Sequence, residues 1–170
     1  MSIKQKGNVL AGMLRRIEIY HKGKLVDIDE KLIDMKDLVV NAGLNALCGQ
    51  AFDVSGSRPA VFNYVAIGVG TAAPAATDTA LGSESMRVQG TYAKDAPVGE
   101  CSMDATFNIT ATLALTECGL LNAATAGTLY CRDTYTVKNV VSGDTVKAFE
   151  KFLERDQSLL HPEVPSAIRC

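Results

Sequence analysis

The sequence predicts a mainly β protein, an antiparallel β-sandwich with one short helix and extended terminal arms. Three observations point there. From Ser102 to Leu115 the side chains alternate: Met103, Ala105, Phe107, Ile109, Ala111 and Leu113 share one parity, and Thr106, Asn108, Thr110 and Thr112 take the other. That period of two belongs to a long half-buried strand. Arg16-Ile-Glu-Ile-Tyr-His21 alternates as well and is joined by Lys22-Gly23 to a second run, Lys24-Leu-Val-Asp-Ile-Asp29, the pattern of a β-hairpin. Turn clusters separate the remaining short apolar runs, and a single run carries good helical spacing. With 170 residues and 47% hydrophobic content, the chain can fill one core but is short for two.

In chain order, residues 1–14 mix Lys4, Lys6, Gly7 and Gly12 with scattered apolar residues and lack periodicity, which predicts an N-terminal arm. The sandwich is expected over 15–155 and an extended tail over 156–170. After the hairpin, Leu38-Val39-Val40 reads as a short strand, and Asn41 can cap a helix that places Leu44, Leu47, Cys48 and Phe52 on one apolar face. Residues 53–59 form a polar loop around Ser55-Gly-Ser57. Tyr64, Val65, Ile67 and Val69 make the next strand, stopped by Gly68, Gly70, Pro74 and Thr77-Asp78. The loop that follows carries Ala and Thr with no catalytic group, so it reads as a packing surface that its surroundings must hold. Met86 to Tyr92 is a further strand, and 94–99 is a turn cluster. Tyr130 to Val137 lies between turns at 123–127 and 142–144. Thr145 to Arg155 starts as a strand, although Val146, Phe149, Phe152 and Leu153 also fit a helical face.

Three blocks of this chain resemble a family of small tailed-bacteriophage virion proteins. Leu38-Val-Val-Asn-Ala-Gly-Leu-Asn-Ala-Leu47 is similar to the family's N-A-G-L helix, and the run from Tyr64 to Pro74 to its Y-I-A-I-G-T-G-T-T-A-P strand and loop. Thr116-Glu-Cys-Gly-Leu-Leu-Asn-Ala123 is similar to its E-A-G-L-F-N-A strand, which leads into a closing hairpin. The blocks occur in the family's order within residues 38–146, with departures that include Val69, Ala72 and Cys118. The resemblance implies a structural subunit of the virion: a capsid decoration or cement protein linking neighbouring subunits, or alternatively a tail-fibre, collar or baseplate subunit. Its implied partners are the major capsid protein or other virion subunits and further copies of itself, a trimer being favoured. Its implied location is the virion, assembled in the host bacterial cytoplasm.

The residues offer little chemistry to set against that reading. His21 and His161 have no sequence neighbours that suggest a base or a ligand. Ser55, Ser57, Ser83 and Ser85 stand in no nucleophile elbow. Gly68-Val-Gly70 lacks the third glycine, the lysine and the following helix of a phosphate loop. Asp27, Asp29, Glu30, Asp34 and Asp37 are interleaved with Lys24, Lys31 and Lys36, a solvated charged face without calcium-loop spacing. No enzyme, metal or cofactor is expected, and a hydrolase of the cell envelope is disfavoured because no acid and base pair is identifiable.

Lys and Arg number 17 against 19 Asp and Glu, a net charge of −2 that gives no field for nucleic acid or an anionic membrane. No apolar run reaches the roughly 20 residues needed to span a bilayer, and Met1 to Lys6 lead into no signal-type segment. Tyr20, Tyr64, Tyr92, Tyr130 and Tyr135 sit singly on strands and Trp is absent, which does not favour a carbohydrate platform. Cys48, Cys118 and Cys131 read as small buried hydrophobes. Cys170, on an extended tail, is the candidate for an intermolecular disulfide. The arms supply the expected interaction residues, Ile3, Val9, Leu10, Met13 and Leu14 at one end and Leu159, Leu160, Val164 and Ile168 at the other, because they have no local apolar partner.

Overall fold

The computed structural model describes residues 12–34, 39–94 and 100–153. Strands β1 (Gly12–His21), β2 (Lys24–Asp34), α1 (Asn41–Phe52), β3 (Tyr64–Gly68), β4 (Glu84–Gln89), β5 (Thr91–Lys94), β6 (Cys101–Asn108), β7 (Leu113–Leu121), β8 (Leu129–Val140) and β9 (Thr145–Leu153) follow in chain order, with α1 the helix among them. They make two antiparallel sheets, one in the order β2-β1-β9-β6-β5 and the other β4-β3-β7-β8. The predicted β-sandwich is therefore the fold. Its interior is a cluster contributed by both sheets, in which Ile17, Ile67, Phe107, Leu115 and Val146 are completely buried.

The opening hairpin forms as its sequence demands. Lys22 and Gly23 both take positive φ, 49° and 78°, the twist that suits a two-residue turn between right-twisted strands. β1 begins earlier than expected, so Met13 and Leu14 belong to the sheet and not to an arm. Met13 is 1% exposed, and Leu14 pairs with Leu32 on one side and Lys151 on the other. The final segment is strand throughout its described part, as β9.

The long alternating run from Ser102 to Leu115 is two strands. Met103, Ala105, Phe107 and Ile109 are buried on one parity as predicted, but β6 ends at Asn108 and the chain crosses to the other sheet before β7. That corner interlocks with the next crossing: the Ile109 N–H donates to the Asp144 carbonyl and the Gly143 N–H to the Ile109 carbonyl, each at 2.9 Å. Asp144 also accepts from the Val141 N–H at 2.9 Å and meets His21 Nδ1 at 2.6 Å, so His21 ties two turns together. The Met86 to Tyr92 run likewise divides at Gly90, where β4 of one sheet passes to β5 of the other.

The helix differs from expectation in its cap and in its buried face. Val40 is the N-cap, without a side-chain hydrogen bond, and Asn41 is the first helical residue; its N–H donates to the Ala76 carbonyl at 2.8 Å. Of the short strand expected at Leu38-Val39-Val40, Leu38 lies outside the described residues, and Val39 forms an isolated bridge to Cys131. The helix lies on β8 through Gly43 and Ala46, leaving Leu44 and Phe52 49% and 80% exposed and Cys48 exposed. Small residues win because they allow backbone to meet backbone: a Cβ on Gly43 would overlap the Tyr130 carbonyl oxygen. Val40, Leu81, Ala66, Leu121 and Leu129 form a second, smaller core outside the β4-β3-β7-β8 sheet. That sheet is covered on both faces.

Candidate interaction surface and its buried anchor

Between β3 and β4 the chain makes a loop, residues 69–83, of mainly small and exposed residues. Thr71, Ala72, Ala73, Ala75, Ala76, Thr77, Thr79 and Ala80 turn to solvent, while Leu81 reaches the second core. Side chains of this size cannot hold a loop by packing. Its backbone is held instead, and the holding group is Glu117.

Glu117 sits on β7 with no exposed surface. Its carboxylate accepts N–H bonds from Gly70 at 2.9 Å, Gly82 at 2.9 Å and Ser83 at 2.7 Å, gathering both ends of the loop onto one group. The Arg132 Nε of β8 donates to the same carboxylate at 2.8 Å. Arg132 then extends the grip: Nη1 reaches Asp78 at 2.7 Å and Nη2 the Ala72 carbonyl at 2.9 Å. Asp78 closes a turn by accepting from the Ala75 N–H at 3.0 Å, and the Thr116 hydroxyl donates to the Gly70 carbonyl at 2.9 Å. Burial would push the Glu117 carboxyl up; the Ser83 N–H, the Arg132 guanidinium and the N–H groups of Gly82 and Gly70 outweigh it and hold the group below its ordinary value. The charge is thus buried, paired and hydrogen-bonded, the condition under which burial is tolerable.

Close approach of this carboxylate explains one glycine. A Cβ on Gly70 would stand against the Glu117 carboxylate oxygens, so any side chain there displaces the anchor. The α1 entry, the β3 strand with its loop, and β7 with Glu117 are one packed unit.

A second buried charge group lies between the sheets. Arg15 Nη1 is 2.7 Å from Asp29, its Nε is 2.8 Å from Asp133, and the guanidinium stands 5.0 Å over the Tyr135 ring. Those contacts have ion-pair distance without good hydrogen-bond direction. Lys138 joins β8 to β2 by an ion pair to Asp27 at 3.0 Å. The acidic set on β2 is therefore partly a set of inter-strand ion pairs and not a wholly solvated face. Glu150 lies nearby and fully buried: burial raises its carboxyl to about 7, Arg15 opposes the rise and Asp133 adds to it. The Cys131 thiol is 3.9 Å from Glu150, and burial pushes the Cys118 and Cys131 thiols up, leaving both unreactive.

Of the expected interaction residues, Met13 is core and Leu14 is half-buried in β1. Ile3, Val9, Leu10, Leu159, Leu160, Val164, Ile168 and Cys170 lie outside the described residues. Cys118 and Cys131 are buried as expected, whereas Cys48 is exposed. Among the described residues no group of three or more His, Cys, Asp or Glu is arranged to hold a metal. Glu117, Arg132 and Asp78 were not legible as a site, although a charged residue inside the apolar run Thr116 to Leu121 is a signal that it has a buried partner. Comparison with family models, curated proteins and solved structures finds no match to this chain.

Proposed function

We propose that the chain is a structural subunit of a tailed-bacteriophage virion, a decoration or cement protein that works by contact and not by turnover. The observation that carries the reading is the anchored loop. Thr and Ala side chains offer a smooth surface that loses little rotamer entropy on burial, and the Glu117 network has already ordered the backbone beneath them. A surface prepared in this way suits repeated subunit contact, where each interface gains from low ordering cost. Two of the blocks resembling the phage family supply part of this arrangement, residues 69–74 of the loop and Glu117 of its anchor, which links the resemblance to a physical purpose.

Locating the subunit in purified particles tests the proposal. A label on the exposed loop and a copy number measured against the major capsid protein are expected to give hundreds of copies on the head. A handful of copies at the tail moves the subunit to the fibre, collar or baseplate. Absence from particles rejects the virion role.

A further inference from the structure

Among the described residues β2 is the last strand of its sheet, paired with β1 along one side and with no strand along the other. Its free edge is long, eleven residues, and holds no proline to blunt it. It is also apolar. Leu25, Val26, Ile28 and Leu32 are 43–66% exposed, more large exposed apolar side chains than any other element carries among the described residues. The backbone at the middle of this edge turns outward. The Ile28 N–H donates to the Asp27 carboxylate at 2.7 Å and the Ile28 carbonyl accepts from Lys138 Nζ at 3.5 Å, side chains standing where a further strand would bond.

We propose that this edge pairs with the same edge of a second copy, β2 against β2 antiparallel about Asp29, joining two five-stranded sheets into one. The occupant is read from charge. Centred on Asp29, the pairing sets Asp27 of each copy opposite Lys31 of the other and Val26 opposite Leu32, so each ion pair and each apolar pair occurs twice by symmetry. Asp27 and Lys31 are half-exposed beside their β8 partners Lys138 and Asp133, and keep surface for a second partner. The two Asp29 carboxylates meet at the axis, but each is turned inward on its own Arg15 at 2.7 Å. Centring on Ile28 would oppose Asp27 to Asp29, and centring on Glu30 would oppose Glu30 to itself. Outward backbone groups alternate along an edge strand, so Ile28 and Glu30, opposite each other in this register, exchange bonds in place of the side-chain caps. The inference rests on the reading of the chain as an assembling subunit and names its contact, a two-fold one where the resemblance favours a trimer.

Sedimentation of the full-length chain over a range of concentration tests this, with Asp27→Lys and Lys31→Asp made separately. Each variant places like charges opposite each other, whereas a one-to-one mixture of the two restores opposite charges in a mixed dimer. The wild type is expected to sediment above monomer mass as concentration rises. Each variant should need roughly tenfold more protein or beyond, and the mixture should associate as the wild type does. A variant merely loosened in its fold is not rescued by mixing. Leu32→Lys, at an exposed site clear of both ion pairs, should also weaken association at unchanged Tm, and it carries the test should charge reversal beside Lys138 unsettle the fold. A wild type that stays monomeric up to its solubility overturns the proposal, whatever covers β2, residues 1–11 of the same chain included. Association unchanged in all three variants overturns it, as does a mixture of folded variants no stronger than its parts. These measurements use pure protein, so the pairing can fail while the subunit is still found in particles, and the reverse.

Discussion

Glu117 and Glu150 are both buried carboxyls, and their surroundings drive them in opposite directions. Glu117 gathers three backbone N–H groups and Arg132, and is held ionised. Glu117→Gln keeps the shape but points an amide NH₂ at donors and leaves Arg132 short of a partner. Breaking a buried pair from one side costs about 3–5 kcal/mol. Chemical denaturation should show that loss, with faster amide exchange at Gly70, Gly82 and Ser83; unchanged exchange there would remove the anchor from the account. Because the folded carboxyl titrates below its ordinary value, the anchor's contribution is complete above about pH 4–5 and fades as pH falls through the folded value. Glu150 has the opposite sign. Its folded carboxyl titrates at about 7, so from the unfolded value upward the unfolded chain releases its proton first, and stability declines until pH passes 7. The decline amounts to about 3 kcal/mol. Glu150→Gln resembles the protonated acid, and should match the wild type at pH 4 yet exceed it by up to about 3 kcal/mol at pH 8. Melting curves at the two pH values check this, and equal stability at pH 8 would mean that Glu150 stays ionised at little cost.

At the level of elements, α1 shows where periodicity misleads. Leu44, Leu47, Cys48 and Phe52 fit a helical stripe, yet the helix docks through Gly43 and Ala46 because Gly43 lets its backbone reach Tyr130. Gly43→Ala separates the two influences. In an exposed helix the change should add roughly 1 kcal/mol, whereas here the new Cβ strikes a backbone carbonyl that cannot rotate away, at a cost of about 1–3 kcal/mol or more. A net loss of up to about 2 kcal/mol or more is expected, with Asn45→Ala, on the exposed side of the same helix, neutral or slightly stabilising. Stabilisation by Gly43→Ala would mean that α1 is not seated on β8. The same contrast governs what the sequence reveals. The parity of Met103, Ala105, Phe107 and Ile109 was readable because burial follows period two; the corner after Asn108 was not, since Ile109-Thr-Ala-Thr112 holds no Gly or Pro and bends through bonds to residues 143–144. Lys22-Gly23 was readable because that turn is local. For the site, the loop's need for support was legible in its small side chains, but its support was not: Glu117 lies 47 residues beyond Gly70, and only the fold brings them together.

For the whole molecule, the boundary between sandwich and arm sets the most informative truncation. The sequence placed that boundary after Leu14, and the fold moves it before Gly12. Removing residues 1–11 leaves every described strand intact. Removing 1–14 also takes away Gly12, Met13 and Leu14, which pair with Asp34, Ile33 and Leu32 on β2 and with Leu153, Phe152 and Lys151 on β9. Losing the Met13 side chain from a closed core costs about 2–5 kcal/mol, before the lost ladder bonds are counted. For a domain of this size that is a fall of about 10 °C in Tm. The shorter deletion should therefore melt like the wild type and the longer one well below it. Under the virion proposal the shorter deletion also separates folding from attachment, because Ile3, Val9 and Leu10 leave while the core stays. It is expected to be folded and to bind purified particles weakly. Full attachment would assign the contact to the sandwich itself, to the anchored loop or the β2 edge, and equal melting of the two deletions would place Met13 outside the structural core.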